Sequence, residues 1–200
     1  MSVDVYVIRH GNTFDRGDTV LRVGGRTDLP LSVSGLEQAR ALGAHFREKS
    51  VEFARILAGP LRRTRETAQA IADAQSREVE IEIVENLREI DYGPDEGKQE
   101  DDVVARLGQD AIDSWESHSA VPDGWIVDPF VLEAAWLTLF ENLRSAEGPV
   151  AVVTSNGVAR FVPSALGETT MQSAKLKTGA FGLIRLGKQG DTVARWNERP

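Results

Sequence analysis

Residues 3–13 read VDVYVIRHGNT, and this stretch decides how the rest of the chain is interpreted. Its first half, residues 3–8, is rich in β-branched and aromatic residues, which is typical of a buried strand. Arg9, His10 and Gly11 follow at the point where that strand should end and a loop should begin. Open α/β sheets bind their ligands at the carboxyl ends of the strands, so the triplet is a candidate site.

The three residues of this triplet suit phosphoryl chemistry. A glycine lets the backbone approach a ligand, an arginine offers a planar fork to two anionic oxygens, and an unprotonated imidazole is a competent nucleophile. An isolated Arg-His pair is more often a structural histidine beside a salt-bridged arginine. The rest of the chain must therefore decide between a structural role and a catalytic one.

Length and composition are those of one globular domain. The chain has 200 residues, of which 41% are hydrophobic, and its longest apolar runs are strand-sized. A bilayer-spanning helix needs roughly 20 apolar residues, so no membrane association is expected. We predict a single domain over residues 1–200.

The charged residues and cysteines exclude several classes of protein. The formal net charge of −8 argues against a nucleic-acid-binding surface, which would need clustered basic residues. The N-terminus lacks the basic region of a signal peptide, and the chain has no cysteine, so we expect a cytoplasmic protein without disulfides. The histidines His10, His45 and His118 show no zinc-ligand spacing, so we expect neither a metal nor another cofactor.

Hydrophobic periodicity predicts strands that alternate with helices. The expected strands are 3–8, 54–59, 79–84 and 150–154, followed by a terminal hairpin of 180–186 and 192–197. The expected helices are 34–46, 61–75, 103–118, 130–143 and 157–166, the last either disturbed by Pro163 or divided there by a separate helix. This order predicts an α/β fold, a three-layer α/β/α sandwich around a mostly parallel sheet.

The middle of the chain, residues 91–128, has weaker periodicity than the rest. Its first part, DYGPDEGKQEDD, is acidic and rich in turn-forming residues, and its last part, AVPDGWIVDP, is irregular. Long irregular connections often carry binding residues. We therefore interpret 91–128 as an inserted cap or a substrate-facing segment.

Four segments in order resemble one family. VIRHGNT at 7–13 resembles the signature of the histidine phosphatase superfamily, which includes phosphoglycerate mutases and many phosphomonoesterases. GRTDLPLSVSGLEQARALG at 25–43 and GPLRRTRETAQAIA at 59–72 are similar to its first loop and helix and to its second-arginine segment. ENLREIDYGPDEG at 85–97 is similar to its acidic segment, and VAVVTSNGVAR at 150–160 to its second-histidine segment. The resemblance implies a phosphoglycerate mutase-like fold.

The resemblance also implies a catalytic role for four residues. His10 would attack phosphorus and become a phosphohistidine, while Arg9 and Arg63 would clamp the phosphoryl oxygens. Glu89 would protonate the leaving oxygen and later take a proton from water. Two alternatives stay open, Arg62 in place of Arg63 and Asp91 in place of Glu89.

Further residues are candidates for contact with the phosphate or its neighbourhood. By their position in the motifs these are Gly11, Asn12, Thr13, Arg16, Gly24, Asn156 and Gly157. Arg16, together with Arg22 and Arg26, could reach a second anionic group of a substrate or could only be solvated.

Asn156 departs from the pattern of the family. The resemblance leads us to expect a second histidine at this position, and asparagine keeps a hydrogen-bond donor but loses the possible charge. That difference is worth about 1–2 kcal/mol, or roughly tenfold to thirtyfold in rate. Asn156 could equally be a turn residue without a catalytic task, and His118 is an alternative source of the missing imidazole.

The sequence therefore predicts a metal-independent phosphatase of a small phosphorylated molecule, acting through phosphohistidine on His10. A second hypothesis, motivated by Asn156, is a catalytically weakened relative that binds a phosphorylated ligand or a protein partner. A third is a phosphoglycerate mutase, which would normally need the full two-histidine pocket. The substrate and the oligomeric state stay open.

Overall fold

A six-stranded sheet forms the centre of the computed structural model, which describes residues 2–168, 171 and 173–200. Its strands, in the order in which they lie side by side, are β3 (Ile81–Ile83), β2 (Arg55–Ala58), β4 (Val150–Thr154), β1 (Val3–Arg9), β5 (Phe181–Gly187) and β6 (Gly190–Glu198). The four strands from β3 to β1 are parallel, whereas β5 and β6 run antiparallel at one edge. The sheet is mostly parallel, as predicted.

Seven helices connect these strands within the described residues. They are α1 (Val33–Glu48), α2 (Arg62–Ala72), α3 (Glu100–Leu107), α4 (Gln109–His118), α5 (Pro129–Leu143), α6 (Asn156–Ala159) and α7 (Val162–Ala165), with short 3₁₀ turns at Glu85–Leu87 and Gly93–Asp95. None of the helices in this part of the chain is long and apolar enough to cross a membrane.

Apolar side chains cover both faces of the sheet. On one face, Leu42 and Phe46 of α1 and Ile71 of α2 pack against strand residues that include Ile8 and Ile56. On the other face, a larger cluster joins the opposite-facing strand residues to the helices from α3 to α7. Because consecutive strand residues point to opposite faces, each buried strand feeds both clusters. The predicted three-layer α/β/α sandwich is confirmed.

One helix prediction differs from the structure, and for a second the structure decides between two alternatives. Residues 103–118 were expected to form one helix, but Gly108 has a φ of +83° and separates α3 from α4. This left-handed conformation suits glycine, which has no Cβ to clash with the backbone. Pro163 lies in the first turn of α7, so the alternative with a separate helix describes the segment after Asn156.

The middle segment, residues 91–128, packs onto one face of the sheet. Val103 of α3 and Trp115 of α4 belong to the same apolar cluster as Val5 and Val7 of β1. Trp125, from the irregular part of the segment, packs edge to face against Trp115 with ring centroids 5.2 Å apart. The segment therefore contributes its own side chains to the core beside the sheet.

Candidate active site

A cavity of about 450 Å³ lies where the parallel strands end. His10 follows β1 directly and Asn156 begins the helix after β4. Arg63 belongs to the first turn of α2, which follows β2, and Glu89 follows the 3₁₀ turn after β3. These residues and Arg9 all line the cavity, although they come from four separate segments of the chain. Parallel strands bring their carboxyl ends to one edge, and that arrangement brings the candidates together.

His10 is held in one tautomer. Its Nδ1 lies 2.7 Å from the carbonyl oxygen of Gly11, and since a carbonyl can only accept, Nδ1 carries the proton. The other ring nitrogen, Nε2, therefore keeps its lone pair. Burial, and then the charges of Arg63 and Arg9, hold the pKa of His10 well below its usual range. The imidazole is consequently neutral near pH 7 and can act as a nucleophile.

Arg9 is the last residue of β1, and its guanidinium is fixed by the backbone. Its Nη1 donates to the carbonyl oxygen of Leu176 at 2.7 Å, while its buried Nε has no acceptor among the described residues. Burial lowers the pKa of Arg9, and the carboxylate of Glu89 opposes that shift most strongly. An arginine stays charged in proteins, so Arg9 places a positive charge with a free donor at the cavity.

The structure separates Arg63 from the other arginines of α2. Arg63 is 1% exposed, and it donates to the carbonyl oxygens of Thr27 at 2.7 Å and Gly24 at 3.1 Å. Arg62 is exposed and pairs with Glu66 at 3.3 Å, and Arg65 is exposed as well. Only Arg63 of these three lines the cavity. The helix thus presents one arginine to the site and two to solvent.

Glu89 is a buried carboxyl group beside two arginines. Its Oε1 accepts from its neighbour Ile90 N at 3.0 Å, and its Oε2 accepts from Gly157 N at 3.3 Å. Burial raises the pKa of Glu89, although Arg63 and the two backbone donors act in the opposite direction. Asp91 instead hydrogen-bonds the side chain of Arg26 at 3.1 Å and does not line the cavity. Of the two candidate carboxyl groups, Glu89 and Asp91, the structure places Glu89 at the cavity.

Asn156 has a structural contact and lines the cavity. Its Oδ1 accepts from the backbone N–H of Leu176 at 2.9 Å, and the carbonyl of the same Leu176 holds Arg9. Because a backbone N–H needs an oxygen as its partner, the Nδ2 group of Asn156 faces the other way. Asn156 thus supports Arg9 through Leu176 and has an NH₂ group left for another partner.

The three candidate glycines, Gly11, Gly24 and Gly157, lie where other parts of the chain approach the backbone closely. A Cβ on Gly11 would lie 2.3 Å from the carbonyl oxygen of Gly35 in α1, so the two backbones touch. A Cβ on Gly157 would lie 2.3 Å from Oε1 of Glu89, and one on Gly24 would lie 2.6 Å from a carboxylate oxygen of Glu96. These glycines allow close approach and do not themselves line the cavity.

Asn12 and Thr13 line the cavity, whereas two other candidates lie outside it. The side chain of Asn12 donates to Ser34 Oγ at 3.1 Å, which ties the loop to the start of α1. Arg16 is exposed, and His118 ends α4 with an exposed ring that hydrogen-bonds Ser117. His118 is therefore not placed to supply a second imidazole.

Arg160 is a residue that the sequence prediction missed. It is 1% exposed, and none of its three guanidinium nitrogens has a hydrogen-bond partner among the described residues. The guanidinium stacks on the ring of Trp115, 3.9 Å from its centroid. Burial lowers the pKa of Arg160, while Glu116, Tyr92 and Glu89 oppose that shift. Its spacing of four residues after Asn156, one helical turn, was the available signal.

The remaining wall of the cavity carries two ion pairs. Arg22 pairs with Glu100 of α3 and stacks over the ring of Trp125, 5.2 Å from its centroid. Lys175 pairs with Glu116 of α4 at 2.5 Å. All of these residues except Trp125 line the cavity. Arg26, by contrast, hydrogen-bonds Asp91 and the carbonyl of Gly93 away from the cavity.

Metal ligands are not grouped in the part of the chain that the structure describes. No set of three or more histidine, cysteine, aspartate or glutamate side chains is placed there to hold an ion. Three arginines, Arg9, Arg22 and Arg63, line the cavity within the described residues.

Comparison with known proteins identifies one family over nearly the whole chain. Residues 5–199 match the family model described as the histidine phosphatase superfamily (branch 1). A relative from Enterobacter sp. (strain 638), described as a probable phosphoglycerate mutase GpmB, is 26% identical over 196 residues. That alignment covers 94% of this chain and 86% of the relative.

Solved structures share the fold at low sequence identity. A mycobacterial glucosyl-3-phosphoglycerate phosphatase matches with a TM-score of 0.80 and 18% identity, covering 99% of this chain and 100% of the other. YhfR from Bacillus stearothermophilus also matches with a TM-score of 0.80, at 24% identity, covering 99% of this chain and 98% of the other. At these identities the matches establish the fold, and the site must be argued from its own residues.

Proposed function

This chain belongs to branch 1 of the histidine phosphatase superfamily, and on that premise we propose that it is a metal-independent phosphomonoesterase that works through a phosphohistidine on His10. The observation that carries the proposal is the state of His10. Its Nδ1–H donates a hydrogen bond to the Gly11 carbonyl, burial lowers its pKa, and Nε2 keeps its lone pair in a cavity that Arg9, Arg63 and Glu89 also line.

In the first half-reaction, Nε2 of His10 attacks the phosphorus atom of the substrate. The bond between nitrogen and phosphorus forms as the bond between phosphorus and the leaving oxygen breaks, and Glu89 gives its proton to that oxygen. Arg9 and Arg63 face the charge on the phosphoryl oxygens. The raised pKa of Glu89 supports its role as the acid, because burial favours the protonated form.

In the second half-reaction, the roles of Glu89 and His10 reverse. The carboxylate of Glu89 takes a proton from a water molecule, and the oxygen of that water attacks the phosphorus of the phosphohistidine. The bond between nitrogen and phosphorus breaks, inorganic phosphate leaves, and His10 returns to its neutral form. Glu89 ends the cycle protonated, as it began.

The testing experiment compares wild-type protein with His10→Ala and a matched control, His118→Ala. We expect His10→Ala to lose roughly a thousandfold or more of the phosphate release from an aryl phosphate, because the nucleophile is gone. His118→Ala should keep the wild-type rate, since that ring is exposed outside the cavity. Alkaline digestion and mass spectrometry of protein quenched during turnover should find the phosphoryl group on His10.

Phosphoglycerate mutase activity is the second candidate, favoured by the description of the Enterobacter relative. Wild-type protein supplied with 3-phosphoglycerate would then form 2-phosphoglycerate faster than it releases phosphate. Turnover of no phosphate ester by a folded protein that still binds phosphate would instead support a ligand-binding relative. The cytoplasmic location expected from the sequence stays a prediction.

A further inference from the structure

The charges around the cavity fall into two groups. Arg9 and Arg63 have charge to offer a phosphoryl group, and they lie beside His10 and Glu89. The other cations that line the cavity, within the described residues, are Arg22 and Lys175, and each is already paired with a carboxylate. The wall that carries these two ion pairs is therefore close to neutral as a whole.

Of these two cations, Arg22 is the less exposed and has the larger number of contacts. Its side chain is 11% exposed, it pairs with Glu100, and its guanidinium lies 5.4 Å from the ring centroid of Tyr92 and 5.2 Å from that of Trp125. Cation–π contacts with the two aromatic rings add to the ion pair in fixing the position of this guanidinium. Because Glu100 already neutralises this guanidinium, a second anionic group of a substrate would have to compete with Glu100 for it.

Lys175, which lies outside the helices, is paired with a glutamate of α4. Its ammonium group lies 2.5 Å from Oε2 of Glu116, and the two side chains are 43% and 32% exposed. Arg160, the remaining cation near this wall, stacks on Trp115 with 1% exposure and does not line the cavity. A carboxylate at this wall would find both of its cations, Arg22 and Lys175, already paired.

We propose that the substrate is the phosphomonoester of a neutral, hydroxyl-bearing alcohol, such as a sugar or polyol phosphate, and that Glu100 and Glu116 select against a second acidic group. This inference rests on the proposed phosphatase function. The two ion pairs leave no net positive charge at this wall to attract a second acidic group, and the paired carboxylates keep lone pairs that accept from hydroxyl groups. Val20 and Leu21, which also line the cavity, supply an apolar surface for the carbon skeleton.

The test uses substrate pairs that differ in one acidic group. Glycerol 3-phosphate is compared with 3-phosphoglycerate, and glucitol 6-phosphate with 6-phosphogluconate, by kcat/KM. We expect the neutral member of each pair to be at least about tenfold better, because an acidic group that enters the cavity loses hydration without gaining an unpaired cation at this wall. Equal rates, or a preference for the acidic members, would overturn the inference.

An aryl phosphate assayed in the same preparations separates the two proposals. If the aryl phosphate is hydrolysed in a His10-dependent way while the acidic substrates are preferred, the phosphatase stands and the inference about its substrate fails. If neither the aryl phosphate nor any substrate of the pairs is hydrolysed, the proposed function itself fails.

Variants that release the paired cations sharpen the test. Glu100→Gln and Glu116→Gln should each shift the ratio of neutral to acidic kcat/KM by about tenfold toward the acidic substrate. Glu82→Gln is the matched control, because it breaks an ion pair with Arg55 outside the cavity and should leave the ratio unchanged. A ratio that moves as far in the control as in Glu100→Gln and Glu116→Gln would contradict the assignment. Should a variant not fold, the wild-type ratios decide alone.

Discussion

At the scale of single residues, one hydrogen bond decides which atom of His10 can react. The Gly11 carbonyl occupies Nδ1, so only Nε2 is available to phosphorus. The same residue is surrounded by Arg9 and Arg63, whose charges oppose its protonation. A nucleophilic imidazole needs this combination, because a protonated ring has no lone pair to give.

The rate should depend on pH through His10 and Glu89. The lowered pKa of His10 lets the neutral imidazole persist below the 6.5 of an ordinary histidine, and the raised pKa of Glu89 keeps the acid protonated above the usual 4.5. We expect kcat/KM for an alkyl phosphate to fall at low pH as His10 gains a proton. It should fall again at higher pH as Glu89 loses one.

Glu89→Gln should remove the alkaline limb of that profile, since glutamine does not titrate, and should lower the rate roughly a hundredfold or more. Glu85→Gln is the matched control, because its side chain is 69% exposed and pairs only with Arg88. The substrate phosphate titrates equally in all three proteins, so it cancels in the comparison. An alkaline limb that survives in Glu89→Gln would show that another group is the acid.

Arg160→Met tests the buried guanidinium beside the site. Removing this charge from behind Trp115 should lower kcat/KM about tenfold, since Arg160 adds positive potential near a dianionic substrate. An unpartnered buried charge favours unfolding, and replacing it with an apolar side chain is often neutral or stabilising by about 1–4 kcal/mol. The lost stacking on Trp115 offsets up to about 2 kcal/mol of that gain.

We therefore expect the free energy of unfolding of Arg160→Met, measured in urea, to stay within about 2 kcal/mol of wild type. Arg160→Lys should recover part of the lost rate, and Arg144→Met, a surface arginine paired with Asp191, should leave the rate unchanged. A large loss of stability with an unchanged rate would instead assign Arg160 a purely structural role.

At the scale of elements, the middle segment is fastened by one buried carboxylate. Asp95 is 2% exposed, and its oxygens accept from Arg106 of α3 and from the indole N–H of Trp125 at 2.7 Å. Arg106 also donates to the backbone carbonyl of Asp123 at 2.9 Å. One side chain thus joins the beginning, the middle and the end of residues 91–128.

Asp95→Asn should loosen this segment. An asparagine turns one acceptor into an NH₂ group that faces a donor, so a charged hydrogen bond is lost and a donor is left without a partner. We expect a loss of about 2–3 kcal/mol in the free energy of unfolding, because Arg106 is partly exposed and the pair is only half desolvated. Urea denaturation measures this loss, and limited proteolysis should find new cleavage sites within 91–128.

The matched control for Asp95→Asn is Asp113→Asn, in the same segment. Asp113 hydrogen-bonds Gln109 on the exposed face of α4, and its replacement should change stability by less than about 0.5 kcal/mol. Equal destabilisation by both variants would mean that Asp95 has no special place in the fold.

The elements also show where sequence patterns run out. The spacing of apolar residues along strands and long helices reflects which side chains are buried. The strands β1 and β4 and the helix α5 could therefore be predicted from that spacing alone. Gly108 could not be recognised as a break, because a single glycine within a helical pattern is often tolerated. The packing of α3 and α4 beside the sheet determines that the chain breaks at Gly108. Such packing joins residues distant in sequence, so no local pattern predicts it.

At the scale of the whole molecule, the site is a meeting point of segments that are distant in sequence. Arg63 reaches the carbonyls of Gly24 and Thr27, and Thr154 donates to the carbonyl of Leu87 at 2.8 Å. A phosphate held between Arg9 and Arg63 would tie these segments together further. Binding of phosphate should therefore stabilise the entire fold.

Inorganic phosphate at a hundred times its Kd should stabilise the native state by about 2.7 kcal/mol. For a chain of this size that corresponds to a rise in Tm of roughly 5–10 °C. The control is chloride at the same ionic strength, which should raise Tm far less. Arg63→Met should lose most of the shift, and a shift that persists in this variant would place the anion elsewhere on the protein.

The position of the candidate site could be predicted from the sequence, whereas the ion pairs and the buried arginine around it could not. His10, Arg63 and Glu89 stand in motifs at the ends of strands, and the parallel sheet brings such ends to one edge. The pairing of Lys175 with Glu116, and the place of Arg160 behind Trp115, depend on side chains that meet only in the folded chain. No periodicity or spacing reports such contacts.

The residues around the cavity have two separate origins. His10 and Arg63 come from the edge of the sheet, whereas Glu100 and Glu116 come from the middle segment, which packs as a unit on one face. Descendants of such a chain could therefore exchange or rebuild α3 and α4 and acquire new substrates while they inherit the reaction unchanged. Laboratory libraries aimed at new specificity have the same opportunity, and randomising positions in α3 and α4 leaves the inherited chemistry in place.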